Sequence, residues 1–140
     1  MKSFKNVSLL TLFVIIILSF SILFALSSCR KLINGVETGV YVGTFTIEYS
    51  DTSIIGNTEI ELKTNTFKCS GNNNRIPAGG TGKYKIKNDK ITFNDENIWT
   101  TDFDWNLILN GEYDYDSKGK TLKLWKTNTI GTYKYNLERK

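Results

Sequence analysis

From Tyr41 almost to its C-terminus the chain alternates apolar and polar residues with a period of two, the pattern of strands that bury one face. Tyr41, Phe45, Ile47 and Tyr49 share one face; Val40, Val42, Thr44, Thr46 and Glu48 share the other. After a turn at Asp51, Thr52 and Ser53, Thr58, Ile60 and Leu62 face opposite Glu59, Glu61 and Lys63. Phe67 and Cys69 mark a short third strand. Residues 71–80, rich in glycine and asparagine around Pro77, form the longest loop. Tyr84 and Ile86 then face opposite Lys83, Lys85 and Lys87. Asn88 and Asp89 suit a two-residue primed hairpin turn before Ile91 and Phe93. Residues 94–104 break the alternation. Trp105, Leu107, Leu109, Gly111, Tyr113 and Tyr115 read as one inward face, followed by a turn at residues 116–119. Leu122 and Leu124 lead the seventh strand; Tyr133, Tyr135 and Leu137 lead the last.

These runs predict an all-β fold: an antiparallel up-and-down meander of about eight strands closing into a small lipocalin-like barrel. Closure removes unpaired edges. A two-sheet sandwich is the alternative. Gly43, Gly82 and Gly111 fall at strand positions that suit coiling or a bulge. The tyrosines at 41, 49, 84, 113, 115, 133 and 135, with Trp105, would line the interior, either walling a pocket or filling it.

The chain begins differently. Lys2 and Lys5 precede an apolar run over residues 9–26, interrupted only by Thr11, Ser19 and Ser21, and the run exits through Leu26, Ser27, Ser28 and Cys29. Charge, apolar run and small-residue exit are the layout of a secretory signal. With cysteine at the exit, the segment resembles a bacterial lipoprotein signal. The resemblance implies cleavage before Cys29, a diacylglyceryl group on its sulfur and usually a third acyl chain on the new amino terminus. Two or more chains hold a protein firmly on a bilayer, where one holds reversibly. The run is also just short of the roughly 20 residues of a membrane span, so an uncleaved anchor is the competing reading. The resulting division is a lipoprotein signal peptide at 1–28, a lipidated tether at 29–38 and a β-barrel domain at 39–140. Arg30 replaces the aspartate that retains many lipoproteins in the inner membrane. The address is therefore the outer membrane, on either its periplasmic or its exposed side.

Loss of the first 28 of 140 residues leaves 112, one domain with a real core, and loss of Lys2 and Lys5 lowers the formal charge from +4 to +2. Lysines are scattered along strands, which gives nucleic-acid binding no support. Acylation of Cys29 would leave Cys69 without an intrachain partner; beside Phe67 it reads as a small buried apolar residue. Histidine is absent, which removes the commonest general base and zinc ligand. The chain reads as a binding protein rather than an enzyme, with no cofactor and no metal.

Four stretches carry a wider resemblance: residues 67–71, 75–80, 91–95 and 103–113. They resemble a family of small outer-membrane lipoproteins of Gram-negative anaerobes with lipocalin-like, or calycin-like, barrels. The likeness spans roughly residues 41–137. It implies a fold and an address, and no assigned activity.

The densest chemistry lies between two strands. Asp95, Trp99, Asp102, Phe103, Asp104 and Trp105 combine carboxylates with aromatic rings, as a sugar site would. Asp102 and Asp104 lack the glycine and glutamate of a calcium loop. The same stretch also suits a polar barrel-end connection pinned by Trp99 and Phe103. Two functions follow. One is a lipid-anchored envelope protein that binds a small apolar or glycan ligand. The other is a protein-binding envelope module, an inhibitor of an exported hydrolase or an accessory subunit of an outer-membrane complex.

Overall fold

The computed structural model describes residues 32–33, 35–100, 102 and 104–140; Cys29 and the apolar N-terminal run lie outside them. Leu32–Ile33 (β1) and Val36–Glu37 (β2) form a short hairpin. Gly39–Glu48 (β3), Ser53–Leu62 (β4), Thr66–Cys69 (β5), Gly80–Lys87 (β6), Lys90–Asp95 (β7), Gly111–Lys118 (β8), Thr121–Thr127 (β9) and Thr132–Arg139 (β10) close into one antiparallel barrel. Each barrel strand pairs with its chain neighbours, and β10 returns to β3 with Tyr41 opposite Arg139 and Glu48 opposite Thr132. The expected meander is thus the observed one.

Local chemistry explains the tight geometry. Asn88 and Asp89 both hold positive φ, 52° and 58°, which gives the β6–β7 hairpin its primed turn. A Cβ at Gly43 would sit 2.0 Å from the Asn136 carbonyl oxygen, and one at Gly82 would sit 2.0 Å from that of Asn94. Neighbouring backbone approaches so closely at both places that only glycine fits.

Alternation sends Tyr41, Phe45, Ile60, Phe67, Tyr84, Phe93, Tyr113, Leu124, Tyr133 and Tyr135 inward, where all are buried. Their rings occupy the interior: centroids of Phe45 and Tyr135 lie 4.6 Å apart, Phe67 and Phe93 4.9 Å, and Tyr113 and Tyr135 6.0 Å. Each buried large side chain contributes about 1.5–3 kcal/mol. Cys69 is buried with them, its Sγ 3.5 Å from Thr58 Oγ1, and burial pushes its thiol up to about 12. The hydroxyls of Tyr113, Tyr133 and Tyr135 are buried without a hydrogen-bond partner among the described residues.

The barrel has two unlike ends. At one, β2 folds over the opening. Val36 is fully buried, the Tyr41 hydroxyl donates to the Glu37 carbonyl at 2.7 Å, the Ser117 hydroxyl donates to the Gly35 carbonyl at 3.0 Å, and Glu37 pairs with the buried Arg139. The stretch expected as tether is therefore packed on the barrel from Gly35 onward. At the other end, four connections gather: residues 49–52, 70–79, 96–110 and 128–131.

One strand differs from expectation. Trp105–Leu107 is a 3-10 turn, and β8 begins only at Gly111. The Asp104 carboxylate accepts from Asn106 N at 2.9 Å and winds the turn, while the Ala78 amide donates to Leu107 O and the Leu109 amide to Gly79 O, both at 2.9 Å. Ile108 and Leu109 are consequently buried side by side, Leu107 is half-buried, and Trp105 points outward at 55% exposure. Trp105 does not line the interior.

Candidate functional site

Among the described residues, most of the exposed large apolar side chains lie at the loop end. Ile55, Ile98, Trp105 and Ile130 are each more than half exposed, and Ile54 stands at the same rim. The connections that carry them are tied together. Asn128 Nδ2 donates to Asn106 Oδ1 at 3.1 Å, joining the β9–β10 turn to the 3-10 turn. The Ala78 and Leu109 amide bonds join residues 70–79 to residues 96–110. The result is a platform built on the barrel mouth, not a set of separate loops.

The carboxylates expected as ligand contacts do not converge. Asp95, at the end of β7, accepts from Thr81 N at 2.7 Å through Oδ1 and from Trp99 Nε1 through Oδ2; its own amide donates to Asn110 Oδ1 at 3.0 Å. Asp95 thus staples the start of the 96–110 connection and holds Trp99 half-buried. Asp104 caps the 3-10 turn and also accepts from Asn106 Nδ2 at 3.1 Å. Asp102 is exposed, and the Thr100 hydroxyl beside it lowers its carboxyl below the usual range. Phe103 lies outside the described residues. The structure therefore brings Asp95 to Trp99, while Asp104 caps the turn that begins at Trp105. Of the two tryptophans, Trp105 is the one presented to solvent.

Lys126 is a partly buried charged group at this end. Its β9 position points it inward, where Nζ lies 4.7 Å from the Tyr113 ring centroid and 5.7 Å from that of Tyr133 and donates to the Asn110 carbonyl at 3.0 Å. Desolvation lowers its pKa, and Asp104 partly opposes this. The ammonium is held by two π faces and a carbonyl. Among the described residues no cluster of three or more His, Cys, Asp or Glu side chains could hold a metal ion.

No protein-family model, curated protein or solved structure matches this chain.

Sequence reasoning passed over the isoleucines. Ile54 and Ile55 are consecutive, and two apolar neighbours in a period-two strand force one of them outward; that local break was the available signal. Beside them lies a cleft of about 520 Å³, bounded by Ile55, Ile76, Asn57, Asn73 and Asn74. A second cleft of about 560 Å³ runs over the outer wall past Lys83, Lys85 and Asn94.

Proposed function

We propose that this protein is a lipid-anchored component of the cell envelope that binds a protein partner through the loop end of its barrel. The observation that carries the reading is the division of apolar surface. Rings occupy the interior, while Ile55, Trp105 and Ile130 stand exposed on a tied platform. A small apolar ligand would need interior space that Phe45, Tyr113 and Tyr135 take up. Exposed apolar residues gathered at one end suit an interface, with tryptophan as its anchor. The lipoprotein-like exit at Cys29 supplies the address, the outer membrane. Cys29 precedes Gly35 by only six residues, a reach of about 20 Å at most. Acyl chains there would tether the domain through the segment that enters its β2 end.

The test is photo-crosslinking in intact native cells, with a reactive side chain at position 105 or, as control, at position 120 in the opposite turn. A discrete protein adduct from 105 and none from 120 is the expected result. Equal adducts from both positions, or none from either, would remove the reading. Labelling the same cells with a palmitate analogue tests the anchor: Cys29→Ala should lose the label.

A further inference from the structure

We propose that the outer edge of β4 at the loop end is a strand-addition site for an extended segment of a partner polypeptide. This deepens the protein-binding reading and rests on it.

The β3–β4 hairpin sets the geometry. Tyr49 N donates to Thr52 O at 2.8 Å, so even-numbered residues of β4 bond to β3 and odd-numbered ones turn their backbone groups the other way. Along that second side the ladder is filled in succession. Glu61 lies opposite Lys68 of β5. The Glu59 carbonyl accepts from Ser70 N at 2.8 Å. The Asn57 carbonyl accepts from Asn72 Nδ2 at 3.4 Å, a side-chain amide standing where a strand backbone would be. At Ile55 and Ser53 the filling stops. There β3 is the only ladder neighbour of β4 among the described residues, and the outward N–H and C=O groups of both residues have no partner among them. The barrel keeps a short open edge here.

The chemistry of that edge selects its occupant. Two N–H and two C=O groups alternate along one line, spaced about 7 Å per residue pair. Another polypeptide backbone reproduces this spacing, and main-chain pairing to a free edge is a known recognition mode. The adjoining cleft of about 520 Å³ has room for the side chains of such a segment. Ile55, 63% exposed on the outer face, offers an apolar contact to one of them, and the amides of Asn73 and Asn74 offer polar contacts to the next. The lining carries no charged side chain, so the segment that fits is neutral and β-branched. The chain's own use of the same edge at Glu59 and Asn57 is the internal precedent for the mode.

The probe is a synthetic hexapeptide of alternating threonine and valine, titrated into the isotope-labelled full chain in detergent micelles. Amide shifts should be confined to residues 53–57 and 72–76, and exchange of the Ile55 amide should slow by about tenfold or more at saturation. Ile55→Pro, which deletes the donor, should abolish binding. The same peptide N-methylated on alternate amides should fail against the unaltered chain, so the inference stays testable even if the proline variant does not fold. No shift at millimolar peptide, shifts elsewhere, or undiminished binding of the N-methylated peptide overturns the proposal. Slowing of Ile55 exchange with protein concentration alone also overturns it, because the occupant is then a second copy. Crosslinks from position 105 without peptide binding at Ile55 would defeat this inference alone; peptide binding without such crosslinks would defeat the wider platform reading.

Discussion

Tyr135→Phe should make this protein more stable. The substitution removes one oxygen from a fully buried ring whose hydroxyl has no hydrogen-bond partner among the described residues. The Tyr113 and Tyr135 hydroxyls are near enough to perturb one another's titration but stand outside hydrogen-bond geometry. A buried hydroxyl left unpaired costs about 1–3 kcal/mol. The space vacated by the oxygen, about 10–15 Å³, costs about 0.3 kcal/mol as a cavity. Relief exceeds cavity, and the net gain is about 1–2 kcal/mol, or about 4 °C or more in Tm. Tyr41→Phe supplies the opposite sign. Its hydroxyl donates to the Glu37 carbonyl at 2.7 Å, and losing that bond costs about 1 kcal/mol. Urea unfolding of both variants, followed by tryptophan fluorescence, gives the two midpoints side by side. Destabilisation of Tyr135→Phe by 1 kcal/mol or more (about the size of one hydrogen bond) would refute the reasoning, because the hydroxyl would then have a partner such as buried water.

Two further outcomes follow from the same core. Burial raises the Cys69 thiol from 9.0 to about 12 and pushes Tyr113 and Tyr135 up from 10.0, so the unfolded chain releases these protons first. Stability is then complete below about pH 9 and declines as pH rises, each group steepening the fall by about 1.4 kcal/mol per pH unit beyond its ordinary value; a flat profile of urea midpoints from about pH 8 to 11 would contradict this. Leu109→Ala should cost about 2–5 kcal/mol and Trp105→Ala under about 1 kcal/mol, since the first side chain is buried and the second is exposed; denaturant melts in the reverse order would restore Trp105 to the interior.

Alternation made most of the barrel legible. Thr58, Ile60 and Leu62, Phe67 and Cys69, Ile91 and Phe93, Leu122 and Leu124, and Tyr133 with Tyr135 all face inward as their spacing requires. A period of two reports only regular strands, and the platform is where strands stop. Trp105 and Leu107 kept the right spacing, yet the Asp104 cap wound them into a turn and the bonds to Ala78 and Gly79 reset the phase before Gly111. Those bonds join residues far apart in the chain, which no local pattern reveals. Val36 was hidden for the same reason: a lone valine in a polar stretch reads as linker until Glu37 meets Arg139 across the full length of the domain. Among the candidate ligand residues, position in the connection was readable from sequence, and commitment was not. Asp95 and Asp104 look free in the sequence but are engaged by Thr81, Trp99 and Asn106.

The way β2 and β3 join the barrel also makes the domain a mechanical clamp. β3 lies between β4 and β10 for nearly its whole length, with ladders from Gly39 opposite Leu62 to Glu48 opposite Ser53 and from Tyr41 opposite Arg139 to Glu48 opposite Thr132. Tension drawn through the N-terminal segment meets the Ser117–Gly35 bond and then the Glu37–Arg139 pair before it loads both ladders together. Antiparallel hydrogen bonds lie across the strand, so a pull along β3 shears them collectively instead of unzipping them one by one. Tension between the N-terminal segment and the loop end would thus be resisted along the longest ladders of the described residues.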